Sequence, residues 1–489
     1  MNRYSVAIAQ QSRTTYSNQL PYHPPESFPE SPFSSQTDPT NEAYSSLREL
    51  FVLLKFDSGA FGSPDWNPLG WLIRPGDTVF LKPNMIAEKH YHSDEWEFVI
   101  THGSVIRAVI DYVFIALRGE GKIIVGDAPS TEANFDEIVR RMGLREIQSL
   151  YWEAKQFEIE IVDLRDEYWI EKDRVVLDTI QLPGDPRGKT TINLDGKSMF
   201  AEVDQDGRHY YGAFYDSVET NRHHREGTHE YSISKSPLAA DVFLSIPKLK
   251  THKKCGLTVN LKGLVGINAN KNWLPHYCYG SPETGGDQFA TASARNDLEN
   301  AVVRRAKKAL LDKNPAMQML ARKTKKLAYK VFGETESIIR SGNWHGNDTV
   351  WRMALDLNRI LLYANPDGSM RESNAAKRYF SVVDGIIAME GDGPATGTPK
   401  AIGCMLAGQN PVAIDAVCAR LMGFDYRKLP IVSQAFEPHP FPLIEAGVES
   451  IDTLSNKPVW NGSLTEWRLA DVFKFEPHFG WKGKVEAAE

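Results

Sequence analysis

Residues 78–84, TVFLKPN, and 122–130, KIIVGDAPS, flank the segment THGSVIRAVIDYVFIAL at 101–117. The two outer runs are short, apolar and β-branched. They are uninterrupted rather than alternating, as strands buried on both faces are. Between them Val105, Ile106, Val109, Ile110, Val113, Phe114 and Leu117 recur at helical spacing. Strand, helix, strand from Thr78 to Asp127 reads as a βαβ unit, and such units build parallel sheets.

Outward from this unit, similar runs occur at Ser5–Gln10, Phe157–Leu164, Val242–Pro247, Tyr379–Ile387 and Ala401–Ala407. The expected class is α/β, Rossmann-like, with a mostly parallel sheet and flanking helices. Residues 21–40 are rich in Pro, Ser and Thr without periodicity and read as a loop. Residues 165–235 carry short β-runs broken at Pro-Gly-Asp and Asp-Gly, which is hairpin chemistry. The expected division is an α/β core over 1–164 and 236–430, of one or two lobes. An antiparallel β-rich insertion spans 165–235, and a C-terminal extension, 431–489, packs on the core.

Composition narrows the class. The 489 residues are 42% hydrophobic and 24% charged, a globular balance. A net charge of -7 gives no overall positive field to attract nucleic acid or an anionic membrane. No apolar run is long enough to span a bilayer. The N-terminus lacks the apolar stretch of a signal peptide, so a cytoplasmic protein is expected. Residues 302–330 hold ten basic residues and one acid, with Pro315 starting a helix. That stretch is either a solvated helical face or a dock for an acidic partner or polyanion.

The four cysteines are Cys255, Cys278, Cys404 and Cys418, with no C-x-x-C pair. A local zinc or ferredoxin-type site cannot be built from them, and an iron–sulfur cluster is not expected. Neither G-x-x-x-x-G-K-[ST] nor G-x-G-x-x-G occurs. His223, His224 and His229 form a histidine-rich stretch that reads as an exposed loop, with metal binding as the alternative. His345 beside Trp344 is a weak site candidate next to a helix start that Asn347, Asp348 or Thr349 would cap. Asn410-Pro411 also starts a helix, with Asp415 placed to complement its dipole.

Chemistry-bearing residues cluster at the carboxyl ends of the expected strands. These are Lys82-Pro83-Asn84, Gly126-Asp127, Pro247-Lys248-Leu249-Lys250-Thr251-His252 and Asp384-Gly385, with Glu390 and Asp392 soon after. Open parallel sheets bind ligands at that edge. The densest stretch, 247–277, adds Lys262, Lys271, His276 and three glycines. Cations with closely approaching backbone suit a carboxylate or phosphate. Lys82, Asn84, Lys248, Lys250, Lys262 and Lys271 are therefore the expected anion- or cofactor-binding residues. His252 and His276 would move protons. Asp127 and Asp392 would orient a histidine or hold a divalent ion such as Mg²⁺, the cofactor being otherwise open. Each has a plainer alternative: solvent-facing lysines, a helix cap at Asp127, and ordinary loop composition around Asp392.

Six stretches occur in order: LKPN, THGSVIRAVIDY, VGDAPS, VFLSIPKLKTHKKCGLTVNLKGLVGI, MEGDGPATGTPK and NPVAIDAVCARLMG. Together they resemble the domain-of-unknown-function 362 family over about residues 75–425. The resemblance implies a fold and a set of site positions but no reaction. Some relatives carry appended ferredoxin-type cysteine motifs, which this chain lacks.

The expected function is an enzyme acting on a small anionic metabolite or phosphate-bearing cofactor, with isomerase, ligase-like and redox chemistry all open. The alternatives are a non-catalytic anion- or nucleotide-binding module and a redox or iron–sulfur-associated protein. No nucleic-acid or membrane partner is expected, and the oligomeric state is open.

Overall fold

The computed structural model describes residues 2–488 apart from 34, 173–174, 204–207, 213–215, 295, 297, 299–300, 302–337 and 373–375. The basic stretch 302–330 lies outside the described residues.

The strands, in chain order, begin with β1 (Val6–Gln10), β2 (Thr78–Pro83), β3 (Lys122–Asp127) and β4 (Ile159–Asp163). Short strands follow: β5 (Glu167–Lys172), β6 (Val175–Gln181), β7 (Lys189–Asn193), β8 (Tyr210–Tyr211), β9 (His224–Arg225) and β10 (Thr228–Ser234). Then come β11 (Val242–Ile246), β12 (Lys248–His252), β13 (Gly256–Thr258) and β14 (Tyr277–Cys278). The last are β15 (Arg378–Glu390), β16 (Thr398–Gly408), β17 (Asp452–Ser455) and β18 (Gly462–Ser463).

One large mixed sheet runs in the order β18-β17-β1-β16-β15-β11-β2-β3-β4, with β12 pairing β15 and β13 pairing β12. The pairs β15–β11, β11–β2, β2–β3, β3–β4, β12–β15 and β1–β17 are parallel. β16 runs antiparallel to both β15 and β1. The α/β class and the mostly parallel sheet thus follow the expectation. β5 and β6 form a separate antiparallel pair, and β7, β10 and β9 a second small antiparallel sheet. β8 pairs with β14, outside the 165–235 stretch.

The sheet is buried on both faces, which is why its strands read as unbroken apolar runs. Val79, Leu81, Ile123 and Val125 pack on one side with the helix Gly103–Leu117. Phe80, Ile124 and Phe243 pack on the other, in the core that also holds the helices Val350–Tyr363 and Pro411–Leu421. Asn410 caps the latter helix by accepting from Val412 N and Ala413 N at 3.0 Å each. Asn347 accepts from Val350 N at 2.8 Å and starts the former.

Two expectations need correction. Asp384 and Gly385 do not lie at the carboxyl end of β15. The strand continues to Glu390, with a register shift between Gly385 and Ile387, so Asp384 sits inside the strand. The histidine-rich stretch is not an exposed loop, because His224 and His229 are fully buried. His223 stacks on Trp273 and lies between Glu230 at 2.8 Å and Glu219 at 3.2 Å. Among the described residues no helix is long and apolar enough to cross a membrane.

Candidate anion-binding cavity

β2 and β3 lie side by side and parallel, so their last residues meet at one edge of the sheet. There Lys82 Nζ lies 2.8 Å from Asp127 Oδ1, with both side chains buried. Asp127 also accepts from Met85 N (2.9 Å) and Ala128 N (2.9 Å). Its two oxygens are thus committed to tying the strand ends together.

The turn carrying Gly266 lies directly on this pair. Ala128 N donates to Gly266 O at 2.8 Å. A Cβ at 266 would fall 1.7 Å from Asp127 Oδ1 and 2.7 Å from Lys82 Nζ, so only glycine permits the approach.

In β12 the period of two puts Lys248, Lys250 and His252 on one side and Leu249 in the core. Lys250 donates to Val99 O (2.8 Å), Pro394 O (3.1 Å) and Asn84 Oδ1 (3.4 Å). Three acceptors fill its three N–H directions, which suits an ammonium. Burial, then the charges of Lys248 and Lys262, push its pKa well down.

Lys262 sits on the short turn Asn260–Gly263. Asp415 fixes that turn by accepting from Asn260 N, Asn260 Nδ2 and Leu261 N, all at 3.0 Å. Asp415 is therefore a clamp across the core rather than a dipole partner at the surface. Burial raises its carboxyl to about 7. Lys262 is only 9% exposed, and its ammonium has no hydrogen-bond partner among the described residues. Burial pushes its pKa down. Lys271 donates to Val265 O (3.1 Å) and Asn268 O (3.3 Å), and burial lowers it to about 7.

The two histidines are held by their Nδ1 atoms in opposite ways. His252 Nδ1 accepts from Lys254 N at 3.1 Å. His276 Nδ1 lies 2.8 Å from Leu274 O, and a carbonyl only accepts, so this Nδ1 donates. Burial pushes both imidazoles well below their usual pKa, and neighbouring lysines add to this. Both rings are neutral near pH 7. His252 therefore carries its proton on Nε2, and His276 keeps a lone pair on Nε2. Neither Nε2 has a partner among the described residues, and neither is sealed from the cavity that both side chains line.

These groups enclose a cavity of about 350 Å³. It brings together Lys82, Asn84, Asp127, Lys250, His252, Lys262, Lys271 and His276. Lys253, Lys254 and Arg340 bring its cationic side chains to seven, against the carboxylates Asp127 and Glu132.

Two expected residues lie elsewhere. Lys248 is paired with Asp384 at 2.7 Å, both fully buried, and also donates to Glu97 O (2.7 Å) and the Tyr16 hydroxyl (2.8 Å). Asp392 is 40% exposed, 3.7 Å from His478 Nε2, and its loop reaches the cavity through Pro394 instead. Glu390 pairs with Lys400 at 2.8 Å. His345 bonds Gly480 O at 3.3 Å and does not line the cavity. Among the described residues no group of three or more His, Cys, Asp or Glu is placed to hold a metal ion.

Sequence reading missed Tyr91, Glu132 and Arg340, which complete the lining without any motif, whereas Tyr277 ends the 247–277 stretch. Thr258 and Ser130 also line it, and both sit inside stretches already singled out.

No curated protein matches the chain. The family model described as Domain of unknown function (DUF362) matches residues 79–187 and 199–420, ranges that include all eight of the grouped cavity residues. With both strand-end motifs, the 247–277 stretch and Asp415 inside the matched ranges, the chain belongs to the DUF362 family.

Proposed function

We propose that the chain is an enzyme whose cavity binds a small carboxylate- or phosphate-bearing metabolite, with His252 and His276 as its proton-handling groups. The observation that carries this reading is Lys262. An ammonium on a largely buried side chain, open only to the cavity and without a protein partner, is poorly solvated, and an anionic ligand relieves that cost. The excess of cations around it supports the same reading. The two neutral imidazoles beside the anion position favour an enzyme over a module that only binds, since neutral histidine can give or take a proton near pH 7.

Thermal melts test the anion site. Inorganic phosphate and citrate, each with and without MgCl₂, should raise the melting temperature of the wild type. An anion at a hundred times its Kd contributes about 2.7 kcal/mol. Lys262→Met should abolish the shift while its own ligand-free melting temperature stays level or rises, because a buried uncompensated charge has been removed. Equal shifts in both proteins, or no shift with either anion, would refute the assignment.

A further inference from the structure

The opposite tautomers of His252 and His276 constrain the ligand further, an inference that rests on the anion reading above. Lys262 and His252 Nε2–H both donate, so both suit the oxygens of an anion. His276 Nε2 presents a lone pair to the same cavity. An anionic oxygen against it would set acceptor against acceptor.

Among the described residues no group donates to this nitrogen. The donors of Lys250 are taken by Val99 O, Pro394 O and Asn84 Oδ1. Those of Lys271 point to Val265 O and Asn268 O. With Lys262 drawn to the anion, a donor on the ligand itself completes this nitrogen. A ligand ammonium is disfavoured, because Lys254, Lys262 and Lys271 all act electrostatically on His276. A hydroxyl is a neutral donor that meets this need.

We infer that the cavity takes an anion that also carries a hydroxyl group, a hydroxy acid or a hydroxyl-bearing phosphate ester, and that His276 Nε2 is the residue that selects for the hydroxyl. A hydroxyl so held has its proton directed at a neutral imidazole nitrogen, the geometry required for general-base removal. The same contact rejects the deoxy analogue, since that analogue leaves the buried Nε2 unpaired.

Two matched ligand pairs test this by titration calorimetry: racemic malate against succinate, and racemic glycerol 3-phosphate against propyl phosphate. In at least one pair the hydroxyl-bearing member should bind the wild type about tenfold more tightly, the worth of one buried hydrogen bond. The pair that responds identifies the anionic head. His276→Phe should reduce the preference to less than about twofold, whereas His276→Gln, whose Oε1 can accept, should keep it. Circular dichroism checks that both variants fold, and the wild-type comparison stands without them. Equal affinity within each pair overturns the hydroxyl inference while leaving the anion site intact. A preference that survives His276→Phe overturns the role of His276. Failure of all four compounds to bind at 10 mM removes the anion reading itself, and this inference with it.

Discussion

Lys248 and Lys262 are both buried, and burial lowers the pKa of each. Lys248 has a carboxylate at 2.7 Å, a tyrosine hydroxyl and a backbone carbonyl, and does not line the cavity. Lys262 has no hydrogen-bond partner among the described residues and lines a cavity. The first lysine is a strut. Asp384 also accepts from His102 N (2.9 Å) and Tyr16 Oη (2.5 Å), so this centre joins the N-terminal loop, the approach to the helix Gly103–Leu117 and the central sheet. The second lysine is a vacancy in the hydrogen-bond ledger of the fold. Burial of charge alone does not separate the two roles; satisfaction does.

The largest effect that sharpens this contrast is expected at the strut. Lys248→Met leaves Asp384 buried without its counter-charge and should destabilise the fold by about 3–5 kcal/mol in urea unfolding. The matching change at Lys262 removes an uncompensated charge and should cost nothing. If the two variants unfold alike, the distinction between strut and vacancy collapses.

A middling effect is expected at the contact between the cavity turn and the strand ends. Gly266→Ala forces apart the Lys82–Asp127 pair and the 264–267 turn. It should cost about 1–3 kcal/mol and weaken anion binding at the same time. Retention of full anion-induced stabilisation would show that this contact does not shape the cavity.

The smallest effect concerns the clamp under Lys262. Burial raises Asp415 from 3.8 to about 7. The folded chain then holds a proton that the unfolded chain has released across about pH 4–7, so this group's contribution to stability falls as pH rises through that window. Wild-type stability relative to Asp415→Asn should decline from about pH 4 to 7 and level off above it. A flat difference would mean that Asp415 is already ionised under its three N–H donors.

Much of this was legible in the residues. The apolar runs at 78–83, 122–126 and 242–246 each correspond to a strand of the parallel core, because a strand covered on both faces leaves an unambiguous pattern. Eight of the ten expected site residues line one cavity, Lys82, Asn84 and Asp127 because the parallel sheet aligns the ends of β2 and β3, and Lys262, Lys271 and His276 because the turns after β13 fold back over that edge. What was not legible was pairing across sequence distance. KLKTH reads as the polar segment that follows a strand. It is a buried strand because the carbonyls of Glu97 and Val99 receive its two lysines, and nothing near 248 announces them. Asp384 looks like a turn residue for the same reason, its partners being Lys248, Tyr16 and His102 N. Asp415 reads as a helix-dipole residue until Asn260 is placed above it.

The position of β1 has a consequence for biosynthesis. Val6 pairs with Gly408 on one side and Thr453 on the other. β1 therefore leaves the ribosome long before either of its neighbours, β16 or β17, exists. The βαβ unit from β2 to β3 makes its contacts locally and can form early. Closure of the sheet around β1 must come last, and until then an apolar strand stays exposed to other nascent chains.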